Sequence, residues 1–158
     1  MPKFSSCFIV LLGVLSAACG GGDGGPGLAP RIAVSGTDEA LGGGRIYATT
    51  TLSRGIDTQI MLSMKTPRTL RDRVMAHEFL HAAGLIDHEA SPDCFLYRAA
   101  IGGAPEVPCL AEIARLNEVQ RDFEVVVHDE RLYEHAIYAK QLWAHYAERD
   151  HFHVRAGP

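Results

Sequence analysis

Between residues 31 and 64 the apolar positions fall in short runs rich in Ile, Val, Tyr and Thr and bounded by glycines, the pattern of β-strands. Arg31 to Ser35 and Arg45 to Leu52 predict two strands, and Thr58 to Met64 predicts a third. The rhythm then changes. Leu70, Val74, Phe79 and Ala82 keep an approximately helical spacing through a segment that Thr66-Pro67 opens and Ala83 closes. Thr can cap a helix, and Pro suits its first turn because the missing N–H has no partner there. Gly84 can take the left-handed conformation that stops a helix. After a Pro- and Gly-containing stretch, Ile113, Leu116, Val119, Phe123 and Val126 predict a second helix. Leu132, Ala136, Ala139, Trp143 and Tyr146 predict a third, with Asp129 as its cap. Stripes of this kind are core and support rather than binding surface. There is no internal repeat.

Residues 1–18 carry a different signal. Lys3, the short apolar run from Phe8 to Leu15 and the small residues Ser16-Ala17-Ala18 read as a secretory signal peptide, too short for a permanent membrane span. Leu15-Ser16-Ala17-Ala18-Cys19 also resembles a bacterial lipobox, which implies lipidation of Cys19 and a protein secreted and anchored to the cell envelope. Residues 19–29, glycine-rich after the cysteine, then form a flexible tether, and 30–158 form one domain. With Cys7 removed and Cys19 lipidated, Cys94 and Cys109 are left as a pair in an oxidising compartment. A disulfide closing a loop of that size contributes about 3 kcal/mol.

Composition narrows the function. The 158 residues suit one domain with a modest core. A net charge of −4 gives no basic face, so nucleic acid is excluded as an expected partner. Eight histidines raise the prospect of metal binding without locating it.

The location comes from His77-Glu78-Phe79-Leu80-His81. Two histidines four residues apart sit about 40° apart around a helix and project from one face. Neutral imidazoles so placed can chelate Zn2+. Glu78, next to the first ligand but angled away from it, is placed to act as general base toward water on the ion. A catalytic zinc needs a third protein ligand and keeps one position open.

The stretch from His77 to His88 resembles the metzincin signature H-E-x-x-H-x-x-G-x-x-H, with Asp87 in the third-ligand place and His88 after it. Asp in that place is similar to the snapalysin branch of small bacterial metzincins, and the likeness runs on through Pro92, Cys94 and Leu96. The resemblance implies an α+β, zincin-like fold, with a small twisted sheet packed on an active-site helix and C-terminal helices behind. It further implies a zinc metallopeptidase acting on protein or peptide substrate, with Glu78 catalytic and His77, His81 and Asp87 as metal ligands. His88 is the alternative third ligand if the turn after Gly84 is one residue longer, and Glu118, in Asn117-Glu118-Val119-Gln120-Arg121-Asp122, resembles the gluzincin ligand helix. By the same analogy, Thr58 to Met64 is expected to be the edge strand that pairs with substrate.

The chain departs from the family in having no methionine after Met75, where metzincins place one beneath the metal. Leu96 is the expected floor, and Tyr97 a floor residue or an oxyanion partner. His128, His135 and His145 read as surface or core residues of the C-terminal helices, and His151 and His153 as polar residues at a frayed end. A monomer is expected, touching membrane only through lipid. The alternative is a non-catalytic metal-binding surface lipoprotein of zincin-like fold, which a closed site using both Asp87 and His88 favours. An immunity or adhesion module with a coincidental motif is a third reading, marked by absence of stoichiometric zinc.

Overall fold

The computed structural model describes residues 31–44, 46–52, 57–98 and 107–158. The expected signal peptide, lipidated Cys19 and glycine tether, and Arg45 of the second predicted strand, lie outside these residues. The elements in order are β1 (Arg31–Thr37), β2 (Ala48–Thr51), β3 (Thr58–Ser63), α1 (Arg68–Ala82), α2 (Leu110–Asn117), β4 (Phe123–Val127), α3 (Tyr133–Tyr146) and β5 (Phe152–Ala156).

The architecture is mixed α/β, with a five-stranded, mostly parallel sheet in the order β2-β3-β1-β4-β5. Only β2 runs antiparallel to its neighbour, and it forms one edge. Thr58–Ser63 is therefore not the edge strand expected from sequence; it is paired on both sides, with β2 and β1. Among the described residues, the edge beside it is Ala48–Thr51.

Side-chain alternation along paired strands sets one face toward the helices. Register aligns Thr50 with Ile60, Val34 with Ile60 and with Val127, and Phe123 with Phe152. Ile32, Val34, Ile60, Leu62, Phe123, Val125 and Phe152 form the sheet side of the core, against Met75, Phe79, Leu80, Ala136, Ala139 and Trp143 of α1 and α3. Burying an apolar side chain of this size contributes about 1.5–3 kcal/mol. The opposite face carries charge instead. Glu124 accepts from Arg31 at 3.2 Å and from Arg155 at 2.6 Å across three neighbouring strands. Those arginines, Arg155 first, hold the Glu124 carboxyl below its ordinary range.

Two further sequence expectations are overturned. The second predicted helix ends at Asn117, and Phe123-Glu124-Val125-Val126-Val127 is a strand. Its β-branched run suits a buried parallel strand, and the helical spacing of Phe123 and Val126 is a coincidence of a run that is apolar on both faces. The segment after Asp150 is no frayed end, because Phe152–Ala156 closes the sheet against β4. His151 is buried there, and its Nδ1 lies 3.1 Å from the Arg121 carbonyl.

Candidate metal centre

The centre is built on the C-terminal half of α1. Thr66 does not cap this helix, as its hydroxyl donates to the Tyr47 carbonyl at 3.2 Å, and Pro67 holds the cap position. The other end follows expectation. Gly84 has φ +98°, its N–H donates to the His81 carbonyl at 2.9 Å, and Leu85 N–H donates to the Leu80 carbonyl at 3.0 Å. This pair of bonds is the Schellman stop. It turns the chain so that the Leu85 carbonyl lies 2.8 Å from His81 Nδ1.

His77 is anchored in the same way, its Nδ1 lying 2.6 Å from the Phe95 carbonyl. A carbonyl only accepts, so both rings carry their hydrogen on Nδ1 and leave Nε2 bare. The bare atoms face each other. His81 Nε2 is 2.9 Å from His77 Nε2 and 3.3 Å from His88 Nε2. Bare lone pairs at that distance repel unless a cation lies between them. Nitrogens about 2.0–2.1 Å from a tetrahedral ion stand about 3.3–3.4 Å apart, close to what these rings present. The donor set therefore fits a metal ion, which His77, His81 and His88 could hold together.

Protonation favours the same role. Burial, then the neighbouring His81, pushes the His77 imidazole down to about 3. Burial also lowers His81 and His88. Neutral rings are the ligand form. His88 is exposed, so the group opens to solvent on that side.

Asp87 is not among the grouped ligand atoms; it is exposed on the turn beside His88. Leu85 is buried as part of the helix stop, and Ile86 and Asp87 span the exposed bend that delivers His88 one position later. Glu118 caps the end of α2 in the exposed surface and does not join the group.

Glu78 is buried on α1, and burial lifts its carboxyl to about 7, against the opposing effect of a hydrogen bond from Thr50. The Thr50 hydroxyl donates to Glu78 Oε2 and lies 3.5 Å from the Glu78 carbonyl oxygen. Sequence reading missed Thr50, because only the β2–β3 register turns it toward α1.

The expected disulfide Cys94–Cys109 is present. It pins the turn carrying Phe95 and Leu96, both fully buried, so Leu96 is a core residue and the Phe95 carbonyl is what meets His77. Phe95 packs edge-on against Trp143, with ring centres 5.5 Å apart, and Trp143 donates to the Ala76 carbonyl at 3.1 Å. Thus α3 braces both the helix and the turn. Tyr97 is half-buried and bridges to Glu89.

The remaining histidines stay apart from the group. His135 pairs with Asp72 at 2.7 Å, and His128 and His153 are exposed. A surface hollow of about 950 Å³ at the start of α1 is lined in part by His128 and His135 and shares no residue with the group of His77, His81 and His88. Its Arg71 and Arg131 are engaged by the Met64 and Thr66 carbonyls and by Asp129 and Asp38.

Comparison with known proteins places the chain in no family: no family model matches it, and neither a curated protein nor a solved structure gives a significant match.

Proposed function

We propose that the protein is a zinc-dependent metalloendopeptidase of zincin type, secreted and tethered to the cell envelope by lipid on Cys19. The observation that carries this reading is the convergence of three imidazole Nε2 atoms, those of His77 and His81 bare, with a buried glutamate between the two helix histidines in sequence. Three nitrogen ligands with a solvent-facing side is the pattern of a catalytic zinc site; a structural one is closed by four. When bound, zinc would supply Lewis acidity toward a carbonyl oxygen and toward water.

The chain's own residues supply the rest. His77, His81 and His88 would hold the ion. Glu78 takes the proton of the attacking water and passes it to the leaving amine nitrogen. A carboxyl raised toward neutrality by burial suits both halves of that exchange. Thr50 holds the carboxylate from the edge strand. Ala48–Thr51 has β3 on one side only, so its other side offers backbone groups to an extended peptide by strand addition. No described helix is long and apolar enough to cross a membrane. The lipobox-like Cys19 supports anchorage by lipid instead.

The test is metal content and hydrolysis of a denatured protein substrate, with Glu78→Gln beside the parent. Stoichiometric zinc in both, with hydrolysis by the parent alone, supports the proposal. Zinc without hydrolysis across varied substrates favours the non-catalytic metal-binding lipoprotein. Protein that takes up no zinc overturns both.

A further inference from the structure

The turn beneath the histidines is gripped from two sides by buried charge. From α1, Arg73, only 4% exposed, donates to the carbonyls of Pro92 and Cys94, each at 3.2 Å. From α2, the carboxylate of Glu112, fully buried, accepts from the N–H groups of Leu96 and Phe95. Its second oxygen accepts from Cys109 N–H at 3.2 Å, in the third-position arrangement of a capping box. The Glu112 charge partly offsets the effect of burial on the Arg73 guanidinium. Between residues 92 and 96 the carbonyls at 92 and 94 and the amides at 95 and 96 are thus all engaged. The Phe95 carbonyl is aimed at His77 Nδ1.

Burying two charges costs several kcal/mol per ion before pairing offsets it, and an apolar pair of similar size is often as stable. Stability alone therefore does not account for charge at this place. Outer partners that fix ring orientation and tautomer are what a ligating histidine requires. We infer that Glu112, with Arg73, is a positioning residue for His77: it sets the peptide at Phe95 so that the carbonyl holds the His77 hydrogen on Nδ1 and leaves Nε2 free for the metal. This deepens the metal-centre reading and rests on it for its consequence, though the tautomer itself exists without metal.

The experiment uses the full chain, disulfide intact. In metal-free protein, nitrogen NMR of the imidazoles is expected to show His77 as a single Nδ1–H tautomer in the parent and as a tautomer mixture in Glu112→Gln. Zinc affinity, by chelator competition, is expected to fall about 10- to 100-fold in that variant. Arg73→Met, which removes the Nη2 donor shared by the Pro92 and Cys94 carbonyls, is expected to fall in the same direction and stands in if Glu112→Gln does not fold. Asp72→Asn, at the separate contact with His135, is the control for lost stability and should leave zinc affinity unchanged. A parent His77 with its hydrogen on Nε2, or folded variants with parental tautomer and affinity, would overturn the inference. A parent with the Nδ1–H tautomer and no zinc uptake sinks the metalloendopeptidase proposal alone, and the tautomer shift in Glu112→Gln still decides the role of Glu112.

Discussion

Thr50 on the edge strand donates its hydroxyl to the carboxylate of Glu78 on α1, joining the open side of the sheet to the general base of the proposed reaction. Thr50 pairs with Ile60 in register, so it shares the helix-facing side of the sheet with the core. A hydrogen bond to a charged group is worth about 1.5–3 kcal/mol. Thr50→Val is therefore expected to lower kcat about 10- to 100-fold with zinc content unchanged. Thr50→Ser keeps the hydroxyl and should recover most of the rate. Steady-state kinetics on both variants checks this, and a Val variant with parental kcat would remove Thr50 from the site.

His88 and Asp87 can be told apart by metal affinity. His88→Ala removes one of three grouped nitrogens and is expected to weaken zinc binding by more than about 100-fold, beyond the loss of an outer partner. Asp87→Asn changes an exposed charge and should cost less than about 3-fold. The reverse order in chelator competition would return Asp87 to the ligand set.

The Cys94–Cys109 bridge closes a span of 15 residues, for which about 3 kcal/mol of stabilisation is expected. Reduction, or the double change to Ser, should lower the midpoint of thermal unfolding. Because Cys94 adjoins Phe95, the same treatment should also weaken zinc binding. A lowered midpoint with unchanged affinity would show that the turn keeps its place without the bridge.

Asp129 caps the turn before α3, accepting from Arg131 N–H at 3.0 Å, and the Arg131 side chain holds its carboxyl below the ordinary range. A carboxyl depressed in the folded state stabilises fully above its unfolded value near about 4, and loses that contribution as pH falls through the folded value. Asp129→Ala should thus be less stable than the parent at pH 7, with the gap closing as the pH is lowered below the unfolded value. Thermal unfolding at both ends of that range measures it.

Gly36 offers a packing check on the same corner. A Cβ built there would overlap Asp129 Oδ2, so Gly36→Ala must displace the carboxylate from Arg131. A loss of about 1–3 kcal/mol in denaturant unfolding is expected, the range for overpacking.

Much of the site was legible in the chain itself. His77 and His81 must share a face once residues 68–82 are helical, and Gly84 must end that helix because an L side chain resists its φ. The Cys94–Cys109 pairing was reached by counting cysteines, and the sign of the net charge by counting charged residues. The shared helix face and the helix stop depend on neighbours within a turn or two, where local sterics decide.

The tertiary structure decided the rest. His88 rather than Asp87 meets the two nitrogens because burial of Leu85 sets the length of the bend. Thr50 reaches Glu78 through strand register, and Val125–Val127 are strand because the sheet buries both their faces. The Phe95 carbonyl that orients His77 leaves no trace in side-chain pattern, since every residue has a carbonyl and only the fold aims one. Local sequence sets spacing along an element; which elements meet, and at what register, is settled by packing across the whole chain.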